Sequence, residues 1–390
     1  MKNKIAILGS TGSIGKTLIN ILKKDKKNIE ITLLTTNQNI NELFKQVKIF
    51  NVKNVIIINQ KKYLFFKKNL KDKKINVYNS FNSINKIFNN KIKNDYVMSS
   101  IAGLDGLFPT LEIIQYTKKI AIANKESIIC GWSLIKKKLS QFNTKFIPVD
   151  SEHFSIYSLL GNKNKNINIE KVFITASGGP FLNLPLHSFK SITIKSALNH
   201  PNWKMGKKIT IDSATMMNKV FEIIEAKKIF DLQYDDLKIL IHSKSYVHAL
   251  VKFKNGITKI LIHDTNMRIP IFNSLYENAP KIIKSKNLDI NLLNNLDFKN
   301  VNIKKFPVVK ILRELPRNES LFETAIVSAN DQLVKMFLNN KIKFTDISKI
   351  LLKIVKSNEF IKYKVIIPKN ITEIKELSNY VSLKINSLDI

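Results

Sequence analysis

A single cysteine, Cys130, occurs in 390 residues, so no internal disulfide can form and a reducing cytoplasm is the expected setting. Cys130 sits in "SIICGW", apolar on its N-terminal side, and reads as a small buried hydrophobe, not a nucleophile. Arginine is almost as scarce. Of 64 basic residues only Arg268, Arg313 and Arg317 are arginine, although the formal charge is +34. Proteins that read bases and phosphates lean on arginine's planar fork, which lysine cannot mimic. The lysines are also scattered among Asn and Ile, as in "NKNKNINIEK" and "KYLFFKKNLKDKK". The charge is therefore read as compositional, with no nucleic-acid partner, though a basic field still attracts anionic substrates. No stretch approaches the roughly 20 apolar residues of a membrane helix. The opening "MKNKIAILGS" breaks its apolar run at Gly9, too soon for a secretory segment.

Glycine is the next informative shortage. There are eleven, ten of them at or before Gly206, and none in the 134 residues after Gly256. With few turn signals and apolar residues at spacings of three and four in "NDQLVKMFLNNKIKFTDISKILLKIVKSNEF", the C-terminal region is expected to be helical. The first 150 residues are different. There "KIAIL", "EITLLTT", "NVIIIN", "YVMSSIAG", "KIAIAN" and "KFIPVD" alternate as strands with helical stretches, the pattern of a doubly wound parallel sheet. The middle holds further strands ("KVFITAS", "LKILIHS", "HALVKF", "ITKILIH") and a strong helix starting near Ser213, which predicts an α+β region with an antiparallel or mixed sheet. The expected division is a Rossmann-type α/β domain over 1–149 and a catalytic domain over 150–276, with a lid near 177–207. A linker follows over 277–300, then a helical domain over 301–390.

"KIAIL" runs into Gly9-Ser10-Thr11-Gly12-Ser13-Ile14-Gly15 and then the helical "KTLINILKK". Glycines between a first strand and a first helix let the backbone turn tightly and approach a pyrophosphate, whose charge sits at the helix N-terminus. NAD-binding folds usually end the second strand in a carboxylate that holds the ribose hydroxyls. Here that strand ends "LLTTNQN", which lacks the acid and favours NADP.

Asp150-Ser151-Glu152-His153 follows "KFIPV". In an extended segment residues i and i+2 share a face, so both carboxylates are expected to point one way. Paired carboxylates are costly without a proton or a hard cation such as Mg²⁺ or Mn²⁺ between them. Ser213 is placed at a helix N-terminus, where donors converge on anions, with Asn218 and Glu222 one turn apart on one face and Lys219 adjacent. "TASGGPF", with Ser177, offers a second anion-accepting turn. "NHPNWKMGKK" supplies His200, Trp203 and Gly206, and a tryptophan in a polar loop suits a lid. His187, His242, His248 and His263 carry no ligand spacing. Each feature also has a plain alternative: a solvated acidic loop, an N-cap at Asp212 or Ser213, a structural His200.

In this order, "GSTGSIG", "IANKES", "PVDSEH", "SGGPF" and "HPNWKMGKKITIDSATMMNK" resemble the 1-deoxy-D-xylulose 5-phosphate reductoisomerase family over nearly the whole chain. The resemblance implies a homodimer that rearranges 1-deoxy-D-xylulose 5-phosphate and reduces the product with NADPH to 2-C-methyl-D-erythritol 4-phosphate, in isoprenoid precursor synthesis. It implies a divalent cation (Mg²⁺, Mn²⁺ or Co²⁺) on Asp150, Glu152 and Glu222. It places Ser177, Ser213, Asn218 and Lys219 around the substrate phosphate, Ser151 and Lys125 around the reacting backbone, and His200 and Trp203 in the lid. Thr11, Gly12, Ser13 and Ile14 match the pyrophosphate loop, with Asn39, Asn124, Glu126 and Gly206 on the cofactor side. The chain departs from the family pattern at Asn37-Gln38, at Val220 in place of glycine, at Ser243-Lys244 in place of Pro-Gln, and at Asp331 in place of glutamate.

Two other readings use the same residues. A dehydrogenase of the aspartate-semialdehyde type needs a nucleophilic cysteine and predicts that Cys130→Ser is inactive. A basic binding protein with a degenerate Rossmann fold predicts a salt-dependent gel shift without NADPH oxidation.

Overall fold

The computed structural model describes residues 2–70, 74–88, 93–161, 168–203, 205–277 and 279–388. Lys204, inside the expected lid, and Asn278, inside the expected linker, lie outside the described residues. The chain divides into two compact units, Met1–Asp150 with Met267–Ile283, and Ser151–Asn266 with Lys284–Ile390.

The first unit is built on seven strands: β1 (Asn3–Leu8), β2 (Ile29–Thr36), β3 (Asn54–Ile57), β4 (Asn76–Tyr78), β5 (Tyr96–Ser99), β6 (Lys119–Ile122) and β7 (Lys145–Pro148). Their spatial order is β4-β3-β2-β1-β5-β6-β7, and all neighbours are parallel. Parallel strands are covered on both faces and so read as continuous apolar runs. Ile5, Ala6, Ile7 and Leu8 of β1 are accordingly all buried. The order winds outward in both directions from β1 and β5, which makes their C-terminal ends the switch point where such sheets take ligands. The six strands read from the sequence are present. The edge strand β4 has only three residues, one exposed and two half-buried, too little to register as an alternating pattern.

Residues 267–283 return to this unit. The Arg268–Leu275 helix packs on the Ser13–Lys23 helix, and Ile271 and Phe272 join the core beneath β1. The Tyr96 hydroxyl meets Ser274 Oγ at 2.8 Å, and Tyr276 donates to Asp25 across 2.9 Å.

The second unit carries β8 (Ile169–Ala176), β9 (Leu237–Ile241), β10 (Val247–Phe253), β11 (Thr258–Ile262) and β12 (Lys299–Asn300) in the order β11-β10-β8-β9-β12. β8 and β9 are parallel and the other pairs antiparallel, so the sheet is mixed. The Ser151–Leu160 and Met217–Phe230 helices pack on it around Ile156, Val172, Ile174, Ile223 and Val251. Three longer helices, Leu321–Leu338, Phe344–Ile354 and Ile371–Asn386, make the glycine-free C-terminal region. Ser320 and Glu323 form a capping box at the first of them, each side chain satisfying a backbone N–H of the other's residue or turn. Among the described residues no helix is long and apolar enough to cross a membrane.

Candidate active site

The glycine loop lies at the switch point. Gly9 follows β1 with φ +81°, and a Cβ there would sit 2.8 Å from the Ser100 carbonyl oxygen just past β5. Gly15 is tighter still, its Cβ position being 2.4 Å from Gly9 O and 2.6 Å from Ser10 Cα. Only glycine lets the loop fold flat against the start of the Ser13–Lys23 helix. Gly12 is the N-cap of that helix and makes no side-chain cap hydrogen bond, and an uncapped helix start of this kind is where anions bind. Thr11 Oγ1 meets Thr36 Oγ1 at 2.7 Å, and the Gly9 N–H donates to Thr35 Oγ1 at 2.8 Å, which ties the loop to the end of β2.

The other residues expected on the cofactor side have local tasks. Asn39 caps the Ile40–Phe50 helix by accepting from Glu42 N at 3.2 Å. Asn124 is buried and caps the Lys125–Phe142 helix, accepting from Ser127 N at 2.5 Å while donating to the carbonyls of Ile101 and, at 2.7 Å, Gly103. It thereby fixes the loop after β5. Glu126 is buried in the first turn of the same helix. Gly206 is the N-cap of the Lys207–Thr215 helix, within the second unit.

The acidic cluster forms by a different route from the extended segment expected above. After β7 the chain passes Asp150 and enters the Ser151–Leu160 helix at once, so Glu152 sits in a first helical turn. Glu222 comes from the Met217–Phe230 helix and is 1% exposed. One ligand oxygen from each of Asp150, Glu152 and Glu222 lies within 4.8 Å of the others. Lysines offset this charge. Lys125 donates to Asp150 Oδ2 at 2.5 Å, and Lys219 donates to Glu152 Oε1 at 2.6 Å and Glu222 Oε2 at 2.5 Å. Ser151 Oγ donates to Glu152, and the Asn218 amide donates to Glu222. Three hard carboxylate donors at this spacing fit a divalent oxygen-loving cation.

The helix expected to start near Ser213 is two helices, Lys207–Thr215 and Met217–Phe230, broken at Met216 with φ +70°. Ser213 therefore lies in the last turn of the first helix, not at an N-terminus, and Asn218 and Lys219 open the second. A left-handed methionine costs about 1–2 kcal/mol, and the surrounding core holds it, since Met216 is 2% exposed. The break turns Ser213 toward Ser177. His200 Nε2 lies 3.2 Å from Ser177 Oγ and 3.1 Å from Ser213 Oγ. Its Nδ1 accepts the backbone N–H groups of Asn202 at 3.1 Å and Trp203 at 3.0 Å. Backbone amides only donate, so Nδ1 is unprotonated and Nε2 carries the hydrogen. Burial and then the Lys219 charge push this imidazole down to about 4, which keeps it neutral. Gly178 and Gly179, at φ +83° and +66°, form the turn after β8, and the Gly179 N–H donates to Ser177 Oγ at 3.1 Å. The Trp203 ring stands edge-on to His248 at 6.2 Å.

Three histidines of the second unit carry no motif spacing. His153 is buried and its Nε2–H donates to the Glu222 carbonyl at 2.9 Å, tying the helices that carry Glu152 and Glu222. Its place directly after Glu152 is the one signal the sequence offers. His248 and His263, from β10 and the turn after β11, stack at 3.7 Å. Cys130 is wholly buried, as expected.

A glycine loop at the switch point of a doubly wound sheet is the kind of turn that takes a dinucleotide, and a lysine-balanced carboxylate trio is the kind of cluster that takes a divalent cation, so the class these features suit is a metal-assisted nicotinamide oxidoreductase. Family models narrow this. The model of 1-deoxy-D-xylulose 5-phosphate reductoisomerase matches residues 5–131, and two models of its C-terminal domains match 146–230 and 263–382. The 1-deoxy-D-xylulose 5-phosphate reductoisomerase of Pelagibacter ubique (strain HTCC1062) is 63% identical over 387 residues, 99% of this chain and 100% of that one. The solved reductoisomerase of Zymomonas mobilis in complex with NADPH superposes with TM-score 0.87 at 28% identity, over all of both chains. A solved DOX-P reductoisomerase in complex with NADPH, fosmidomycin and magnesium gives 0.88 at 29% identity, over 99% and 98% of the chains. The chain belongs to the 1-deoxy-D-xylulose 5-phosphate reductoisomerase family, the NADP-dependent oxidoreductases of the methylerythritol phosphate route.

Proposed function

We propose that this chain converts 1-deoxy-D-xylulose 5-phosphate to 2-C-methyl-D-erythritol 4-phosphate with NADPH and a divalent cation, as a cytoplasmic homodimer. The observation that carries this is the convergence of Asp150, Glu152 and Glu222 within 4.8 Å. The carbon skeleton first isomerises, one C–C bond breaking as another forms, to an aldehyde of unchanged composition. Hydride from NADPH and a proton from solvent then give the alcohol and NADP⁺.

A divalent cation held by Asp150, Glu152 and Glu222 would supply Lewis acidity and a template for vicinal oxygens. NADPH would lie along Thr11, Gly12, Ser13 and Ile14 and supply the hydride. The remaining tasks belong to side chains. The hydroxyls of Ser177 and Ser213, with Asn218, would hold the substrate phosphate, and the neutral His200 Nε2–H orients both hydroxyls. Lys219, poised between Glu152 and Glu222, can shift its ammonium from those carboxylates to the phosphate side as other cations enter. Lys125 and Ser151 flank the carboxylates where the substrate backbone would lie, and Trp203 would close over it with the 177–207 segment.

The test is the rate of NADPH oxidation with the xylulose phosphate, with and without Mg²⁺, in the native chain and in Glu222→Gln. Loss of one metal carboxylate removes several kcal/mol of transition-state stabilisation, so turnover is expected to fall by about 100-fold or more. NADPH binding should be retained. Unchanged turnover in Glu222→Gln would overturn the site assignment.

A further inference from the structure

Next to Ser213 stands Asp212, a carboxylate only 1% exposed. Burying a carboxylate is costly unless it is paired and hydrogen-bonded. One donor is local: Lys208, a turn earlier on the same helix, lies 3.0 Å from Asp212 Oδ2. A second is remote in sequence. Asn330, at the middle of the Leu321–Leu338 helix, donates its amide to Asp212 Oδ1 at 2.7 Å. Asn330 is itself completely buried, and its Oδ1 has no hydrogen-bond partner among the described residues. Its neighbour Asp331 takes the same Lys208 ammonium at 2.9 Å, and that ammonium lies 5.1 Å from the centre of the Phe221 ring.

A buried amide–carboxylate pair is a poor way to gain stability, because apolar side chains of similar volume usually do as well or better. What it adds is direction. The carboxylate it holds is on the last turn of the Lys207–Thr215 helix, one residue from a pocket hydroxyl and four from the left-handed break at Met216. The opposite wall of the pocket is also tied to the C-terminal region, but by apolar contact. Gly179 packs so close to that same turn that a Cβ would be 2.9 Å from Ser213 O. Phe181, two residues on, meets Phe344 edge-on at 5.2 Å.

We infer that Asn330 is a positioning residue for the substrate phosphate, acting through Asp212 to set the Ser213 hydroxyl. The inference rests on the reading of Ser177 and Ser213 as phosphate donors. It assigns the C-terminal helical region a part in substrate affinity, through one hydrogen bond, without contact with substrate.

The test uses the full-length enzyme with NADPH and Mg²⁺. In Asn330→Ala the KM for the xylulose phosphate is expected to rise about tenfold, the size of one well-placed hydrogen bond, with kcat within about threefold. NADPH affinity, a property of the other unit, should not move. Asp212→Asn should raise KM similarly, and adding Asn330→Ala to it should change KM by less than about twofold, because both act through one bond. If Asn330→Ala does not fold, Asn330→Ser, which disturbs the packing less, takes its place in the same cycle. A merely structural asparagine would lower the melting temperature or kcat and leave KM alone, and that result would overturn the inference. So would independent, multiplying effects of the two substitutions. Ser213→Ala is the control for the underlying reading. If it leaves KM unchanged the phosphate pocket is misplaced, whereas a raised KM there with none in Asn330→Ala defeats only the present inference.

Discussion

Lys219 donates to Glu152 across 2.6 Å although 67 residues of chain separate them. The same ammonium reaches Glu222, one turn further along its own helix. The family resemblance groups Lys219 with the phosphate donors, and in the folded chain its ammonium also pairs with two carboxylates. Its charge nonetheless reaches His200, beside Ser177 and Ser213.

That placement makes Lys219 a counter-ion to both buried carboxylates. Replacing it in Lys219→Met removes the ammonium from between two buried carboxylates, and breaking such a pair costs roughly 3–5 kcal/mol. Mg²⁺ at millimolar concentration is expected to restore much of this, since a ligand that binds only the folded state stabilises it by mass action. Guanidinium unfolding with and without Mg²⁺ measures both effects. A loss below about 1 kcal/mol, within the range of exposed pairs, would contradict the buried role.

Gly15→Ala tests the cofactor loop. The added Cβ meets backbone atoms of Gly9 and Ser10 at 2.4 and 2.6 Å, and neither is a flexible side-chain end. The loop must shift, at a cost of roughly 1–3 kcal/mol by the measure of overpacked sites. NADPH titrated by fluorescence is expected to bind at least about tenfold more weakly, while the stabilisation by magnesium is unchanged. Equal NADPH affinity in the variant would place the dinucleotide elsewhere.

Acid should destabilise the protein partly through His200. Burial, with the Lys219 charge second, lowers its pKa from 6.5 to about 4. Between those values the unfolded chain takes up a proton that the native chain does not. The stabilisation is thus fully present above pH 6.5 and is lost as pH falls toward 4. His242 and His263 are shifted the same way, chiefly by burial. Denaturation midpoints should fall as pH is lowered through this range, and less steeply in His200→Asn. His200 ring resonances that titrate near the ordinary histidine value would refute the assignment.

Much of the fold is legible in the sequence. The glycine loop announced itself because a strand, three glycines and a helix must follow in that order for a backbone to approach a pyrophosphate. Six of seven parallel strands showed as apolar runs because both faces of the sheet are covered. The departures from the family pattern also find places. Val220 is wholly buried in the Met217–Phe230 helix, and Asp331 pairs with Lys208. Other features left no local trace. The break at Met216 is invisible because methionine has no preference for a left-handed backbone, and packing alone imposes it. The return of residues 267–283 to the first unit depends on Ile271 and Phe272 finding the core beneath β1, a choice between two apolar surfaces that pattern cannot make.

The sequence by itself determined the glycine loop between the first strand and the first helix, the helical C-terminal region and which residue types could hold a cation. These rest on backbone freedom, hydrophobic period and donor chemistry, all local properties. Only the tertiary structure decided that Asp150 and Glu152 meet Glu222 through a helix start, that Lys219 balances them, that His200 is neutral between two serines, and that Asn330 holds Asp212. Each of these depends on burial and on partners tens of residues away, and the cost of a buried charge has no value until the fold has chosen its neighbours.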